Sequence, residues 1–296
     1  VLITDSGLGG LFVCANIENN LQNRKIFKKA NLIFCNALPA SNYLYNNLKT
    51  DSLKAAVFNS ALEGMTLMYK PDMVMIACNT LSAIYPLTAF YKTTKIPVIG
   101  IIDLGAALMN ERLKSDPNSK LLILGTETTV SSKAHLSWLR ERGISPDRIT
   151  TQACKYLETE IQNDPQSDVV ENMIQYFLDE ALVGDKDKEK SLYVGLCCTH
   201  YSYSKNIFEK IVSQLGYRSY EVLDPDIVMS NFLFTANNLH EYSVVETSVQ
   251  VVSRTAFSES EIKSIGNALS NISPKTVTAL KNYAIKKNLF EVNIHS

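Results

Sequence analysis

Val74-Met75-Ile76-Ala77-Cys78-Asn79-Thr80 is the stretch that decides the fold, and Leu192-Tyr193-Val194-Gly195-Leu196-Cys197-Cys198-Thr199-His200 is its counterpart later in the chain. Each is a short apolar run that ends in cysteine followed by small polar residues. Such runs are typical of strands that are buried on both faces of a parallel sheet. Because ligands of these sheets bind beyond the carboxyl ends of the strands, Cys78 and Cys198 are expected to face each other across a cleft.

Length and composition are those of an ordinary globular protein with room for two domains. The chain has 296 residues, of which 46% are hydrophobic and 20% are charged. Its net charge of −1 gives no electrostatic reason to expect nucleic acid or a membrane surface as a partner. No apolar run approaches the length of about 20 residues that spans a bilayer, and no signal-peptide pattern is present. We therefore expect a cytoplasmic protein, of which a few residues before Val1 are missing.

The cysteines are predicted to be reduced thiols, because a chain of this size without a secretion signal seldom carries a disulfide framework. No CxxC pair occurs, and the chain has only four histidines. A zinc site built from Cys198 and His200 with distant partners is the less favoured alternative, and no metal is predicted. The six cysteines are Cys14, Cys35, Cys78, Cys154, Cys197 and Cys198.

The chain opens with a strand, Val1–Thr4, that runs into a glycine-rich turn, Asp5-Ser6-Gly7-Leu8-Gly9-Gly10, and then into an amphipathic segment. Glycines permit a tight turn and a close approach of a ligand, and the free N–H groups at a helix start favour an anion. The turn lacks the GxGxxG spacing and the lysine of nucleotide-binding loops, so a carboxylate is as good a candidate anion as a phosphate. Asp5 does not suit a simple anion pocket, because its own negative charge would repel an anionic ligand. One alternative is that it caps the following helix.

Strands and helices alternate along the chain, which indicates a doubly wound α/β structure. Helical spacing is present at 52–69, 81–91, 133–141, 168–182 and 258–269, and Ser273-Pro274 is a start signal for a terminal helix that is predicted to extend to Leu289. The polar turn and the later cysteine of the first half have counterparts in the second half. We therefore predict two similar α/β domains with a cleft between them.

Two opposed thiols suit the removal of a proton from one face of a carbon and the return of a proton to the other face. The other four cysteines are predicted to be core residues, because cysteine in an apolar context is usually buried. In this hypothesis Asp5 and His200 assist one thiol each. The hydroxyls and amides that hold the carboxylates and the amine of an amino acid are Ser6, Asn79, Thr80 and Thr199. No cofactor motif is visible and none is required.

Three motifs resemble the signatures of the cofactor-independent glutamate racemases, within the aspartate/glutamate racemase superfamily. They are Asp-Ser-Gly-Leu-Gly-Gly-Leu at 5–11, Ala-Cys-Asn-Thr at 77–80 and Cys-Thr-His-Tyr at 198–201. The resemblance covers residues 1–270 and includes Ile96–Gly100 and the turn that holds Thr126 and Thr129. It implies two flavodoxin-like domains, 1–98 plus 206–270 and 99–205. Residues 271–296 lie outside the resemblance, and the start signal at Ser273-Pro274 predicts that they are a C-terminal helical extension.

The same resemblance implies the chemistry and the partners. Cys78 would be the base for D-glutamate and Cys198 the base for L-glutamate, assisted by Asp5 and His200. The product D-glutamate would supply peptidoglycan synthesis and so cell shape, and the enzyme would be a homodimer. Further residues at the substrate are expected to be Asn36, Pro39, Ser41, Thr126 and Thr129.

The chain departs from the family pattern at three places, one of which is Ser202 where a proline usually follows Cys-Thr-His-Tyr. The loop after the second strand usually carries Asp-Asn and then Pro-Tyr-Gly, whereas this chain has Cys35-Asn36 and then Pro39-Ala40-Ser41. By count, Gln162 falls where the family has a glutamate near the second thiol, and Glu160 is a possible substitute. These changes leave the thiol pair intact and alter the residues that hold the substrate.

Two other classes of function stay open on the sequence. A superfamily relative could act on another carboxylate, as an aspartate racemase, a hydantoin racemase or a maleate isomerase does. In the last of these a cysteine adds to the substrate as a nucleophile, so a trapped covalent adduct would identify it. A non-catalytic ligand-binding module would keep the cleft, but it would need neither thiol.

Overall fold

A computed structural model describes residues 1–40, 44–234 and 240–292 of the chain. Within these ranges the backbone forms two separate sheets, and every strand pair in both sheets is parallel. Helices separate most consecutive strands, so the predicted α/β class with two parallel sheets is confirmed.

The first sheet has six strands: β1 (Leu2–Asp5), β2 (Lys29–Asn36), β3 (Val74–Ile76), β4 (Val98–Gly100), β9 (Glu246–Ser253) and β10 (Ala284–Ile285). Their order across the sheet is β10-β9-β2-β1-β3-β4. All four residues of the central β1 are buried, which agrees with a strand that is covered on both faces.

The second sheet has four strands: β5 (Lys120–Gly125), β6 (Ile149–Ala153), β7 (Ser191–Cys197) and β8 (Ser219–Leu223). Their order is β6-β5-β7-β8. The two central strands, β5 and β7, are mostly buried. Cys198 follows β7 directly, as Ala77 and Cys78 follow β3 in the first sheet, so each sheet has a cysteine beyond the carboxyl end of one strand.

Thirteen helices of the described residues connect and cover these strands. They are α1 (Leu11–Arg24), α2 (Asp51–Tyr69), α3 (Asn79–Ile84), α4 (Ala89–Thr93), α5 (Ile101–Ser115), α6 (Glu127–Ser131), α7 (Ala134–Arg140), α8 (Leu157–Asn163), α9 (Asp168–Ala181), α10 (Lys205–Gln214), α11 (Pro225–Asn231), α12 (Glu259–Leu269) and α13 (Pro274–Lys281). Ser273 caps α13 as the sequence predicts, and Ser258 forms a capping box with Glu261 at the start of α12. None of the helices described here is both long enough and apolar enough to span a membrane.

The predicted helix over 81–91 is interrupted in the structure. Helix α3 ends at Ile84, a 3₁₀ turn follows with Pro86 in its first positions, and Thr88 caps α4. Proline has no N–H to donate to the preceding turn, and a capping threonine starts a new helix. The sequence does not predict helix α5, because its apolar start at Ile101 continues the run of β4 without a loop.

The C-terminal segment differs from the predicted helical extension 271–296. Helix α13 ends at Lys281, and Ala284–Ile285 pair with β9, which places β10 at the edge of the first sheet. The N–H of Lys286 also donates to the Ser253 carbonyl at 2.8 Å. Pairing satisfies an edge of β9 that would otherwise be open, which a helix over this segment would not do.

Strand β8 pairs with β7 from Ser219 to Leu223, so this segment extends the second sheet. The prediction of 206–270 as part of the first domain therefore needs correction for 206–223, since α10 returns the chain directly to the strand beside β7. The return to the first sheet comes with β9. The limits of the two domains otherwise stay a prediction.

Candidate active site

A cavity of about 500 Å³ lies where the carboxyl ends of the two sheets meet. It contains both cysteines that the sequence singles out, Cys78 after β3 and Cys198 after β7. The predicted site residues that line it are Asp5, Ser6, Asn36, Cys78, Asn79, Thr80, Thr126, Cys198, Thr199 and His200. The expected cleft between the halves therefore exists, and both thiols border it.

Cys78 is the N-cap residue of α3, and only 6% of it is exposed. Its Sγ lies 3.2 Å from the Ser6 hydroxyl. Burial, together with the nearby charge of Asp5, raises the pKa of the Cys78 thiol to about 12, although the hydroxyl contact opposes the shift. At neutral pH this thiol therefore holds its proton.

Cys198 is in extended backbone immediately after β7 and is also 6% exposed. Its Sγ lies 3.9 Å from Nδ1 of His200. Burial, and after it the charge of Glu158, raise the pKa of the Cys198 thiol well above its ordinary value. Burial lowers the pKa of His200 to about 4, so the imidazole is neutral at pH 7 and can accept a proton.

Asp5 is buried at the end of β1 and holds a fixed set of hydrogen bonds. Oδ1 accepts from the Gly7 N–H at 2.9 Å, and Oδ2 accepts from the Thr199 hydroxyl at 2.8 Å. Burial raises the pKa of Asp5 to about 6, and these hydrogen bonds limit the rise. The N-cap of α1 is Gly10, and no side chain of the described residues caps this helix, so the alternative that Asp5 is its cap is wrong.

The glycine-rich turn serves close packing between the halves. A Cβ on Gly9 would lie 2.3 Å from Oγ1 of Thr199 and 2.7 Å from Nδ1 of His200. The N–H of Leu8 donates to Oε1 of Gln162 at 3.0 Å, and that of Gly7 donates to Asp5. Since these donors already have partners, the turn is not a ready anion pocket of the kind considered from the sequence.

Asn79 presents an unused amide in the cavity. Only 2% of the residue is exposed, and neither Oδ1 nor Nδ2 has a partner among the described residues. Buried polar atoms in a native protein are nearly always hydrogen-bonded, so a free amide at a cavity wall indicates a ligand position. Asn36 has a partner, because its Oδ1 accepts from the N–H of Leu38 at 2.9 Å.

Three threonine hydroxyls form a cluster that joins the halves. The Oγ1 atoms of Thr80 and Thr126 are 2.8 Å apart. Oγ1 of Thr129 lies 3.0 Å from Oγ1 of Thr126 and 3.4 Å from Oγ1 of Thr80. Thr80 and Thr126 line the cavity, whereas Thr129 does not. Thr129 would therefore act on a ligand only through its neighbours.

Two predicted residues of the 35–41 loop are not at the cavity. Pro39 does not line it, and its carbonyl accepts from Arg254 at 2.6 Å. Ser41 lies outside the described residues. Tyr45 and Asn46, which follow this loop in the chain, line the cavity instead.

Gln162 rather than Glu160 occupies the position beside His200. Its Oε1 lies 2.8 Å from Nε2 of His200, and it lines the cavity, whereas Glu160 does not. Sequence reasoning missed Glu158 and Glu261, which also line the cavity. The register of a helix could have indicated Glu158, which is one turn before Gln162, but nothing local connects Glu261 with the site.

Glu158 is a carboxyl group in a crowded, buried place. Burial raises the pKa of Glu158 to about 7, and the charge of Glu127 adds to the rise. Its Oε2 has no hydrogen-bond partner within the described part of the chain. At neutral pH a large fraction of this group is protonated and able to donate a hydrogen bond.

The lining of the cavity, as far as the structure describes it, contains carboxyl groups and neutral polar groups but neither lysine nor arginine. Nor do three or more His, Cys, Asp or Glu side chains of the described ranges come together in a way that could hold a metal ion. The chemistry that these residues themselves offer is proton transfer by thiols, imidazole and carboxyl groups.

The sequence of this chain is similar to those of known proteins. The family model for Asp/Glu/hydantoin racemases matches residues 9–184. The glutamate racemase of Staphylococcus aureus is 30% identical over 202 residues, which are 67% of this chain and 68% of that protein. The glutamate racemase of Aquifex pyrophilus is 27% identical over 231 residues, which are 77% and 79% of the two chains.

The crystal structure of glutamate racemase isoform RacE1 from Bacillus anthracis has the same fold. It superposes with a TM-score of 0.70 over 92% of this chain and 94% of that chain, at 19% sequence identity.

Proposed function

This chain belongs to the Asp/Glu/hydantoin racemase family and is therefore an isomerase, and we propose that it interconverts L- and D-glutamate at Cα without a cofactor. The observation that carries the proposal is that two buried thiols from the two halves, Cys78 and Cys198, border one cavity and each has its own polar partner. Cys197 borders the cavity as well and is fully buried. Cys78 has Ser6 and Asp5 nearby, and Cys198 has His200. Proton transfer on both faces of one carbon needs this pairing, and a simple binding site does not.

The reaction follows from the two thiols. With L-glutamate bound, Cys198 as thiolate removes the Cα proton, and the Cys78 thiol returns a proton to the opposite face. With D-glutamate the two cysteines exchange roles. Each turnover leaves one cysteine protonated and the other ionised, so the site is then set for the product enantiomer.

A thiolate has to form before the proton can be removed. Burial opposes ionisation of both thiols, so the charge needs stabilisation in the substrate complex. We propose that His200 takes the proton of Cys198 and Asp5 that of Cys78, while the ammonium group of the substrate supplies the positive charge that the described lining lacks. A nearby cation lowers the pKa of a thiol, so substrate binding itself would activate the base.

The substrate is held by neutral donors. Asn79 has a free amide, and Ser6, Thr80 and Thr126 supply hydroxyls around the thiols. Hydrogen bonds to a carboxylate are charge-assisted and stronger than those between neutral groups, so several of them can replace an ion pair. This mode of binding suits an acidic amino acid whose Cα must also carry negative charge in the transition state.

Incubation of the protein with each enantiomer of glutamate and of aspartate, without added cofactor, tests the proposal directly. Circular dichroism should show loss of optical activity with both glutamate enantiomers and little change with aspartate. The variant Cys78→Ser/Cys198→Ser serves as the blank. Racemisation of aspartate alone would support aspartate as the substrate. Racemisation of neither glutamate nor aspartate would contradict the proposed racemase function.

We also propose that the D-glutamate supplies peptidoglycan synthesis in the cytoplasm and that the enzyme is a homodimer. Both rest on the likeness to glutamate racemases. Growth of a bacterial strain that requires D-glutamate, restored by this chain but not by Cys78→Ser, tests the role. Sedimentation equilibrium tests the dimer, which should have twice the 33.0 kDa mass of the chain.

A further inference from the structure

Glu261 connects the start of α12 with the residue beside His200. Its Oε1 accepts from Nε2 of Gln162 at 2.6 Å. Its Oε2 accepts from the N–H and the hydroxyl of Ser258 at 2.7 and 2.8 Å, which closes the capping box of α12. One carboxylate thus holds both a helix terminus and the amide of Gln162, which belongs to α8.

These contacts allow only one orientation of the Gln162 amide. Oε1 accepts from the Leu8 N–H at 3.0 Å, and the opposite end of the amide faces the Glu261 carboxylate. A carboxylate only accepts and a backbone N–H only donates. Reversal of the amide would place two acceptors together at one end and two donors at the other.

The orientation of Gln162 in turn fixes the tautomer of His200. Oε1 of Gln162 lies 2.8 Å from Nε2 of His200, and because this oxygen cannot donate, Nε2 must hold the ring proton. The imidazole is neutral, so Nδ1 carries the lone pair. Nδ1 is the atom that faces Sγ of Cys198 at 3.9 Å.

We propose, on the basis of the function proposed above, that Glu261 is a positioning residue which acts through Gln162 to hold His200 as the Nε2–H tautomer, so that Nδ1 accepts the proton of Cys198. The Cys198 S–H bond breaks and the Nδ1–H bond forms, which leaves a thiolate beside an imidazolium. The cation keeps its Nε2–H bond to Gln162, whose amide is polarised by the carboxylate of Glu261. Cys198 regains its S–H proton from Cα of the substrate. The imidazolium then releases its proton to solvent, which returns one to the Cys78 thiolate as the site goes back to its resting state.

The pair also explains why glutamine stands at position 162. A glutamate there would bring a second carboxylate to within 2.6 Å of Glu261, and like charges so close oppose each other. Glutamine can accept from His200 and donate to Glu261 at once. Residues 162 and 261 therefore form one donor–acceptor pair. A loss of activity caused by a substitution at one position should be restored by the complementary substitution at the other.

The first test is the ¹⁵N NMR spectrum of the His200 ring in the full-length protein. The wild type should show the Nε2–H tautomer, and Glu261→Ala should populate the Nδ1–H form. The control is Ser258→Ala, which removes the capping hydroxyl but leaves Glu261, so its spectrum should match the wild type. This readout needs no turnover, so it stays decisive even if glutamate is not the substrate.

The second test is kinetic. Glu261→Ala should lower kcat/KM by about 10²-fold, less than the about 10⁴-fold lost when the orienting carboxylate of a catalytic triad is replaced and the wrong histidine tautomer results. The primary isotope effect of α-deuterated substrate should rise for the enantiomer that Cys198 deprotonates and fall for the other. A loss of folded protein alone would lower the rate equally without this asymmetry.

The third test is compensation. Gln162→Glu should be impaired, and Gln162→Glu/Glu261→Gln should recover most of the activity, because the amide introduced at position 261 donates to the carboxylate introduced at position 162 while it can still serve the capping box. A wild-type Nδ1–H tautomer would overturn the proposal. So would an unchanged tautomer and unchanged isotope effects in Glu261→Ala, or additive losses in the double variant.

Discussion

The hydroxyl of Thr199 donates a hydrogen bond of 2.8 Å to the carboxylate of Asp5, although the two residues are 194 positions apart in the chain. The bond joins the end of the first strand to the residue that follows the second thiol. Asp5 also contributes to the electrostatic field at both Cys78 and Cys198. One carboxyl group therefore acts on the two thiols together, and its protonation state should affect both.

The protonation of Asp5 should set the acid side of the pH profile. Burial raises the pKa of Asp5 to about 6, so the group gains a proton as the pH falls through 6 and then can no longer accept one from Cys78. We expect kcat/KM to fall about tenfold per pH unit below 6. Asp5→Asn should lower kcat by about 10²- to 10⁴-fold and abolish this limb of the profile.

The matched control for Asp5 is Asp147→Asn, an exposed carboxylate in a turn before β6. The pH profile of kcat/KM in this variant should be that of the wild type. A limb near pH 6 that persists in Asp5→Asn would assign the titration to another group.

Glu158 should set the alkaline side through substrate binding. Burial raises the pKa of Glu158 to about 7, so below pH 7 the neutral acid can donate to a substrate carboxylate, and above pH 7 the carboxylate repels it. We expect KM for glutamate to rise by about tenfold per unit above pH 7. We also expect kcat to fall for the enantiomer that Cys198 deprotonates, because the same charge raises the pKa of the Cys198 thiol. Glu158→Gln keeps a donor without a charge, so its KM should stay low and flat.

Glu160→Gln is the control for Glu158, because it removes a carboxylate on the same helix that does not line the cavity. Its KM should follow the wild-type curve. A wild-type KM that does not change between pH 6 and 9 would contradict the role of Glu158.

Gly9→Ala should damage the site by overpacking. The added Cβ would lie 2.3 Å from Oγ1 of Thr199, so the second thiol's neighbours would have to move. We expect a loss of about 1–3 kcal/mol in the free energy of unfolding and a fall in kcat/KM. Gly266→Ala in α12 is the control: its Cβ meets Val277 at an ordinary 3.7 Å, so it should be neutral or stabilising by up to about 1 kcal/mol. Urea unfolding and racemisation assays of both variants provide the comparison.

The elements that the sequence predicts correctly depend on local patterns. Apolar runs that stop at Cys78 and Cys198 predict two strand ends, and the parallel-sheet rule then predicts that they meet at one cleft. The hydroxyl of Ser273 before a proline predicts the start of α13. The sequence does not predict α5, because its apolar first residues follow β4 without a loop and therefore look like a continuation of that strand.

The parts that the sequence does not predict depend on contacts between distant segments. Glu261 reaches Gln162 across 99 positions, and nothing near either residue in the chain indicates the contact. The pairing of β8 with β7, and of β10 with β9, is decided by which sheet edge is open, which no local pattern records. The role of Glu158 depends on burial, which follows only from the packed structure.

The central claim is that Cys78 and Cys198 exchange protons with opposite faces of one carbon. Its most direct test is racemisation of glutamate in deuterium oxide by the wild type, by Cys78→Ser and by Cys198→Ser, with Cys14→Ala as the control at a buried thiol of α1 that does not line the cavity. We predict that the wild type and Cys14→Ala racemise and place deuterium at Cα of the product, and that each serine variant binds glutamate but does not racemise it. Near-normal racemisation by either serine variant, or product that retains the substrate's own Cα hydrogen throughout, would contradict the two-thiol account.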